Sequence, residues 1–218
     1  MNHPAFPYVA PMALFLVLLA AGDILGLGAW EYPFRCAALA AALWFWSRGV
    51  IDLRVRSLIP SAAIGAVVFA IWVGPDVLWP SYRAHWLFSN SITGLPESSF
   101  PAAHRDSAMA LLFRSIRATL LVPVVEELFW RSWLMRWIIK PDFLSVPLGA
   151  WSAKAFWITA VLFAAEHGSY WDVGLVCGVI YNAWMVRTRS LGDCILAHAV
   201  TNGLLCAYVI SGGHWQYL

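Results

Sequence analysis

Three short polar clusters interrupt an otherwise apolar sequence, and their residue types are able to perform acid–base chemistry. They read EELFWR at 126–131, FAAEH at 163–167 and HAVTN at 198–202. Each lies within or at the end of a stretch hydrophobic enough to enter a bilayer. Ionisable groups in hydrocarbon cost about 2.5–3.5 kcal/mol each on insertion scales, so their presence indicates a function by default.

The first cluster contains two adjacent glutamates that we expect to have different roles. Consecutive helical residues point about 100° apart, so Glu126 and Glu127 face different neighbours. Glu127 and Arg131 are four residues apart, in the order that favours an ion pair on one helix face. Glu126 is then the freer carboxylate and the candidate general base. Pro123 lacks a backbone donor and predicts a kink close to this site.

The third cluster places an imidazole and a carboxamide on one helix face, because His198 and Asn202 are four residues apart. This pair could donate two hydrogen bonds to an oxyanion or offer two ligands to a metal. Each cluster also has a structural explanation of its own. Glu126, Glu127 and His167 could be solvated at the interface, and His198 with Asn202 could join helices by hydrogen bonds.

The composition predicts a polytopic membrane protein. Hydrophobic residues make up 61% and charged residues 12% of the 218 residues, and the mean hydropathy is +0.69. Soluble chains average about half apolar and about a quarter charged residues. A net charge of +2 gives no basic surface for nucleic acid. The four cysteines lie in apolar runs without CxxC spacing, which indicates buried thiols.

We expect an all-α transmembrane bundle of about seven spans, with an eighth in the long fourth stretch as an alternative. A span needs about 20 mostly apolar residues. The stretches that qualify or nearly qualify are 9–29, 33–48, 58–79, 107–135, 151–168, 172–187 and 191–212.

The polar segment 80–106 is predicted to be a loop, which divides the chain into N-terminal helices with this loop (1–106) and a catalytic core (107–212). Residues 104–117, with Arg114 and Arg117, are expected to lie along the interface. The excess of positive charge on one side predicts a cytoplasmic N-terminus and an outside C-terminus. We expect a multi-pass protein of the bacterial inner membrane. Asp23 and Asn182 are interpreted as packing or network residues.

The three clusters are expected to meet at one depth. Measured along the helices from the basic residues on one side, Glu126, His167 and His198 lie ~15, ~20 and ~14 Å deep at about 1.5 Å per residue. Scattered structural polar residues would have no reason to agree in this way. We therefore predict one shared site.

Glu-Glu-x-x-x-Arg, Phe-x-x-x-His and His-x-x-x-Asn, in this order on apolar helices, resemble the CAAX protease and bacteriocin-processing family, which includes the type II CAAX prenyl endopeptidases. The resemblance covers about residues 107–210. It implies that Glu126 and His167 activate a water and that His198 and Asn202 stabilise the oxyanion. It further implies a supporting role for three residues: Glu127, Arg131 and Phe163.

Metal dependence is open at this point. No HExxH helix is present, and the resemblance favours a glutamate-type protease without a cofactor. The alternative is a divalent metal such as Zn²⁺, held by Glu126, His167 and His198.

The expected activity is cleavage of a peptide bond in a membrane-associated or lipidated substrate, with membrane lipid as the other partner and no nucleic acid. A non-catalytic membrane interaction protein, such as a bacteriocin-immunity or secretion accessory factor, is the second hypothesis. A proton-coupled transporter ranks third, because the sequence shows no inverted repeat. The sequence predicts neither the oligomeric state nor whether the substrate is prenylated.

Overall fold

A computed structural model of the protein describes residues 3–21 and 26–217, and the predicted all-α fold is confirmed. Within these ranges no β-strand forms, apart from one isolated bridge between Asn90 and Gly94. The main helices of the described chain are α1 (Phe6–Ala20), α2 (Glu31–Ala42), α3 (Leu58–Leu78), α4 (Ala108–Ile139), α5 (Ala153–Ala165), α6 (Trp171–Thr188) and α7 (Leu191–Gly212).

Each predicted apolar stretch overlaps one of these helices. By length and composition, α3, α4 and α7 are able to cross a membrane, and α1 and α5 are shorter apolar helices. The first stretch was predicted to continue to residue 29, whereas α1 ends at Ala20. Residues 22–25, and with them Asp23, lie outside the described residues. The apolar helices are those of a membrane protein.

The remaining helical segments are short. Leu43–Ser47 continues α2 as one turn of π-helix. The 3-10 helices are Gly28–Trp30, Tyr82–Ala84, Ala102–His104, Phe143–Ser145, Gly168–Tyr170 and Trp215–Tyr217. Two of them interrupt the predicted loop 80–106, which otherwise consists of turns and irregular backbone.

Helix α4 is continuous over 32 residues, so the fourth stretch holds no second helix. It begins where the Ser107 side chain accepts a hydrogen bond from the Ala110 backbone N–H, an N-cap. Two π-helical segments, Arg117–Leu121 and Leu128–Leu134, lie within it on either side of the two glutamates. Such segments rotate the residues that follow and are frequent at functional sites.

Small residues allow two helix pairs to pack closely. A Cβ atom at Gly65 of α3 would collide with the Ala197 carbonyl oxygen of α7. At Gly178 of α6, a Cβ atom would come within 3.1 Å of the Ala160 carbonyl oxygen of α5. Small residues let membrane helices approach in this way, and Gly174 with Gly178 is the GxxxG pair seen in the sequence.

The N-terminal helices form part of the main core. Met12 of α1, Leu39 of α2 and Val68 of α3 pack with Val125 of α4 and Tyr181 of α6. The sequence showed only that this half of the chain is hydrophobic. In the structure its helices pack around the later helices. The four cysteines, Cys36, Cys177, Cys194 and Cys206, are buried and free.

Candidate active site

One cavity of about 320 Å³ brings together the four predicted catalytic residues. Glu126 comes from α4, His167 from the turn after α5, and His198 and Asn202 from α7. The rest of the wall is largely apolar and includes Phe15 of α1 and residues of α3. The residues for which the sequence predicted one depth therefore line the same cavity.

Pro123 and Asn202 are linked through the backbone of α4. In the π-helical segment the Val122 N–H bonds to the Arg117 carbonyl, five residues back. The next bond in this register would join Pro123 to the Ala118 carbonyl, but proline has no N–H. The Ala118 carbonyl is left free, and the Asn202 Nδ2 donates to it at 2.9 Å. One Nδ2 hydrogen and the Oδ1 of Asn202 remain for other partners.

Glu127 is buried in a paired cluster, as the i, i+4 spacing predicted. Its Oε1 accepts hydrogen bonds from Arg131 Nη1 at 3.1 Å and from His198 Nδ1 at 2.9 Å. Arg131 also donates to Asn182 Oδ1 at 3.1 Å and lies over the Phe163 ring, 4.4 Å from its centroid. Glu127 and Arg131 are both fully buried. Their opposite charges compensate each other where water is absent.

Asn182 extends this cluster to a third helix. It accepts from Arg131 and donates from Nδ2 to the Phe156 carbonyl of α5 at 2.8 Å. The interpretation of Asn182 as a network residue agrees with this geometry.

Glu126 differs from its neighbour because it makes no hydrogen bond to any residue in the described ranges. It is 7% exposed, and its Oε2 is buried without a partner. The nearest cationic or titratable nitrogen is His198 Nε2, at 4.0 Å from Oε2. A carboxylate oxygen with free lone pairs in a cavity is able to accept a proton from a small molecule there.

The contacts of His198 define what each ring nitrogen does. Nδ1 faces the Glu127 carboxylate, which is already paired with Arg131, so Nδ1 carries the hydrogen and donates it. Nε2 faces the cavity and Glu126. The Tyr181 ring stacks on the imidazole at 5.2 Å between centroids and fixes its plane. A carboxylate partner of this kind orients a histidine and selects its tautomer.

His167 is oriented by the turn that ends α5. Its Nδ1 lies 2.6 Å from the Phe163 carbonyl oxygen. A carbonyl oxygen only accepts, so Nδ1 donates and Nε2 of the neutral ring presents a lone pair. Trp72 of α3 packs edge-on against this ring at 5.1 Å. Neighbouring Glu166 accepts a hydrogen bond from Trp130 Nε1 at 3.1 Å and does not line the cavity.

Several wall residues were not identified from the sequence. Trp72 is one of fourteen tryptophans in the chain, and no motif distinguishes it from the others. Tyr181, whose hydroxyl hydrogen-bonds Thr201 at 2.7 Å, lies in an apolar helix without a motif. Arg117 was noticed but assigned to the interface, whereas it is 5% exposed and lines the cavity. Its position near the start of a long apolar run did not distinguish burial from a place at the interface.

The metal alternative does not fit this arrangement. Among residues 3–21 and 26–217, no three His, Cys, Asp or Glu side chains lie close enough together to hold a metal ion. The suggested ligands Glu126, His167 and His198 share a cavity without forming such a cluster.

Comparison with known proteins identifies the second half of the chain. Residues 108–204 match the family described as type II CAAX prenyl endopeptidase Rce1-like. This match, called the Rce1-like domain below, is consistent with the CAAX protease and bacteriocin-processing family. The resemblance drawn from the three motifs is therefore confirmed for residues 108–204, and this match indicates a membrane peptidase of the CAAX type. No curated protein and no solved structure shows a significant match to the chain.

The Rce1-like domain begins at the first residue of α4 and extends into α7. It therefore includes Glu126, His167, His198 and Asn202. The cavity reaches beyond the domain, because Phe15, Trp72 and Tyr217 also line it.

Proposed function

We propose that the protein is an intramembrane endopeptidase in which Glu126 activates a water to hydrolyse a peptide bond. The observation that supports this most strongly is the unpartnered Glu126 Oε2, buried in a cavity with two histidines and an asparagine. Hydrolysis of an amide requires a base for the water and donors for the oxyanion. The residues around this cavity offer both.

In the proposed first step, Glu126 takes a proton from a water whose oxygen adds to the carbonyl carbon of the scissile bond. The Nε2 lone pair of His167 accepts the second hydrogen of the water and fixes its orientation. The C–N bond then breaks, and the proton held by Glu126 passes to the leaving amine nitrogen. A positioned general base of this kind contributes about 10²–10⁴-fold to a rate.

The proposed oxyanion donors are His198 and Asn202. Asn202 uses the Nδ2 hydrogen that the Ala118 carbonyl leaves free. His198 is oriented for this role by Glu127, which accepts from Nδ1–H, so Nε2 faces the cavity and donates to the oxyanion when it carries a proton. Both donors are held in place before the substrate arrives, which is the condition for effective electrostatic stabilisation.

The supporting residues act by positioning. Glu127 holds His198, and Arg131 holds Glu127. Phe163 contributes twice, because its carbonyl accepts from His167 and its ring lies under Arg131. In this proposal none of these three residues touches the reacting atoms.

The proposed substrate is a membrane-associated or lipidated protein, since the apolar wall of the cavity suits a hydrophobic segment. We further propose that the protein is a multi-pass protein of a bacterial inner membrane and works as a glutamate-type protease. The metal-dependent version of the same protease is the competing mechanism.

The test uses the full-length chain reconstituted in liposomes with a fluorogenic prenylated peptide and its non-prenylated twin. We expect cleavage by the wild type, loss of cleavage in Glu126→Gln and no effect of a zinc chelator. Loss of activity with the chelator and its recovery with Zn²⁺ would support the metal-dependent version. Full cleavage by both Glu126→Gln and His198→Ala would refute the assigned chemistry and revive a non-catalytic role.

A further inference from the structure

Residues 213–217, called the gate segment below, bound one end of the cavity that contains Glu126. Tyr217 is the residue of this segment that lines the cavity. Its hydroxyl donates to Asp76 Oδ2 at 2.8 Å, and Asp76 lies two residues before the end of α3. Helix α7 ends at Gly212, so the gate segment lies where α3 and α7 both end. At this end the cavity is therefore bounded by a segment that belongs to no main helix.

The gate segment has few backbone hydrogen bonds to the rest of the chain. The Gly213 N–H bonds to the Val209 carbonyl at 2.8 Å, and the Trp215 and Tyr217 N–H groups bond within the segment. No other backbone hydrogen bond links the segment to the chain between residues 3 and 212 in its described parts. Segments with few such bonds open locally at low free-energy cost. The gate segment is therefore able to move while α7 stays intact.

Gly213 provides the turn that directs the gate segment back toward α3. Its φ angle is +72°, in the left-handed region that L side chains rarely adopt. The nearest atom that a Cβ there would meet is Trp215 Nε1, at 3.8 Å. The position thus requires glycine for its conformation and not for space. This makes Gly213 the natural hinge of the segment.

Asp76 is the fixed half of the contact that holds Tyr217. Its Oδ1 accepts from Arg83 Nε at 3.1 Å, while Oδ2 accepts from the Tyr217 hydroxyl. Arg83 is 6% exposed and also donates to Asp172 at 2.5 Å and to the Ser169 carbonyl at 2.7 Å. The carboxylate is therefore anchored between α3 and α6, and one hydrogen bond joins it to the gate segment.

The other contacts of the gate segment are made by the ends of side chains. The Trp215 ring stacks on the Phe100 ring of the preceding long loop, with 5.9 Å between centroids. The Tyr170 hydroxyl donates to the Gln216 carbonyl at 3.3 Å, which is a long hydrogen bond. Such contacts separate without any change in secondary structure when the segment moves.

We propose that residues 213–217 form a gate that swings about Gly213 to admit the substrate chain, and that the hydrogen bond between Tyr217 and Asp76 is its latch. The proposal rests on the proposed function for the identity of the chain that enters, but not for the opening itself. Mobile segments that close over a site keep bulk water away from the reacting groups. Closure by Tyr217 would do this for Glu126.

Native cysteines report the opening of the gate without any turnover. Cys206 and Cys177 line the cavity, whereas Cys194 is fully buried and does not line it. Cys206 lies eight residues from His198, or about 12 Å along α7 toward the gate segment. The full chain in neutral detergent is pulsed with N-ethylmaleimide, and peptide mass spectrometry follows each cysteine separately. Cys194 is the internal control, because only unfolding of the helices exposes it.

Tyr217→Phe removes the latch but keeps the ring. We expect it to raise the alkylation rate of Cys206 roughly 10-fold, the lower end for a hydrogen bond to a charged group, and to leave Cys194 unchanged. Gly213→Ala keeps the latch residues but opposes the left-handed turn, so it should also raise the rate at Cys206. Tyr208→Phe is the matched control and should change neither rate. The Tyr208 ring lies 6.2 Å from that of Tyr217, and its hydroxyl makes no hydrogen bond within the described residues.

Two results of this experiment would overturn the gate. The first is unchanged alkylation of Cys206 in either Tyr217→Phe or Gly213→Ala, since the gate needs both its latch and its hinge. The second is an equal rise at Cys194, which would show that the helices unfold and that no local opening takes place.

The remaining arms separate the latch from its neighbours and the gate from the proposed chemistry. A rise in Tyr208→Phe as large as that in Tyr217→Phe would show that the hydrogen bond to Asp76 is not the latch, and it would overturn the proposal. The expected alkylation pattern supports the gate even if Glu126→Gln cleaves peptide at the wild-type rate. In that case the proposed function fails and the gate stands.

Discussion

Two buried polar regions lie side by side in this protein and differ in how their charges are matched. In the first region, Glu127 accepts hydrogen bonds from Arg131 and His198, and Arg131 also donates to Asn182. On the cavity wall, Glu126 makes no hydrogen bond to the described residues. Adjacent residues of one helix therefore have opposite environments. A paired buried charge stabilises an arrangement, whereas an unpaired one costs free energy and is retained for chemistry or binding.

The largest expected effect is that of Glu126→Gln, which keeps the shape of the side chain but removes the base. We expect kcat to fall by about 10²–10⁴-fold, the contribution of a positioned general base. Stability should not fall, because the carboxylate that is lost has no partner. Steady-state cleavage and thermal melting in the same liposomes measure both quantities. An unchanged kcat would show that Glu126 is not the base, which would contradict the different roles proposed for the two glutamates.

Arg131→Gln tests the paired region through its effect on stability. It leaves Glu127 buried without its arginine, and breaking a buried pair costs about 3–5 kcal/mol. We expect the free energy of unfolding, measured by denaturant titration in mixed micelles, to fall by about that amount. The double variant Glu127→Gln/Arg131→Gln should recover part of the loss. If the double variant is less stable than Arg131→Gln alone, the two residues do not form one charge-matched unit.

Asn202→Ala removes one proposed oxyanion donor, so kcat should fall by about 10²–10³-fold. Pro123→Ala is the informative companion, because it restores an N–H that competes with Asn202 for the Ala118 carbonyl. We expect Pro123→Ala to lower kcat less than Asn202→Ala does, and to have little further effect in the Asn202→Ala background. Additive losses in the double variant would show that Pro123 acts independently of Asn202.

The smallest effect concerns the support of His198. Tyr181→Phe removes the hydroxyl bonded to Thr201 but keeps the ring that stacks on the imidazole. We expect a loss of about 1 kcal/mol in the free energy of unfolding, the usual net value of a hydrogen bond, with kcat nearly unchanged. Tyr181→Leu, which also removes the ring, should lower kcat. Equal kcat values for these two variants would show that stacking does not position His198.

The sequence predicted those features that depend on spacing within one helix. The apolar stretches each overlap a helix, and the i, i+4 spacing correctly paired Glu127 with Arg131. Depth counted from basic residues predicted one shared site for Glu126, His167 and His198, and all three line one cavity. These features follow from helix geometry alone.

Features that depend on register or on distant contacts could not be predicted. The hydrogen bond from Asn202 to Ala118 requires the π-helical register of α4, which no sequence pattern specified. His198 and Glu127 are 71 residues apart, so their pairing depends on how α7 packs on α4. Arg117 was expected at the interface because charge at the start of a long apolar run usually contacts water, yet the neighbouring helices cover it.

The most direct test of the account follows the oxygen of the attacking water through a single turnover. Excess enzyme cleaves the lipidated peptide in H₂¹⁸O, and mass spectrometry then locates the label. If Glu126 acts as a base on water, the ¹⁸O is in the new carboxylate of the product and Glu126 carries none. Glu126→Gln then forms labelled product about 10²–10⁴-fold more slowly than the wild type. Label in the side chain of Glu126, or labelled product formed by Glu126→Gln at the wild-type rate, would contradict the account.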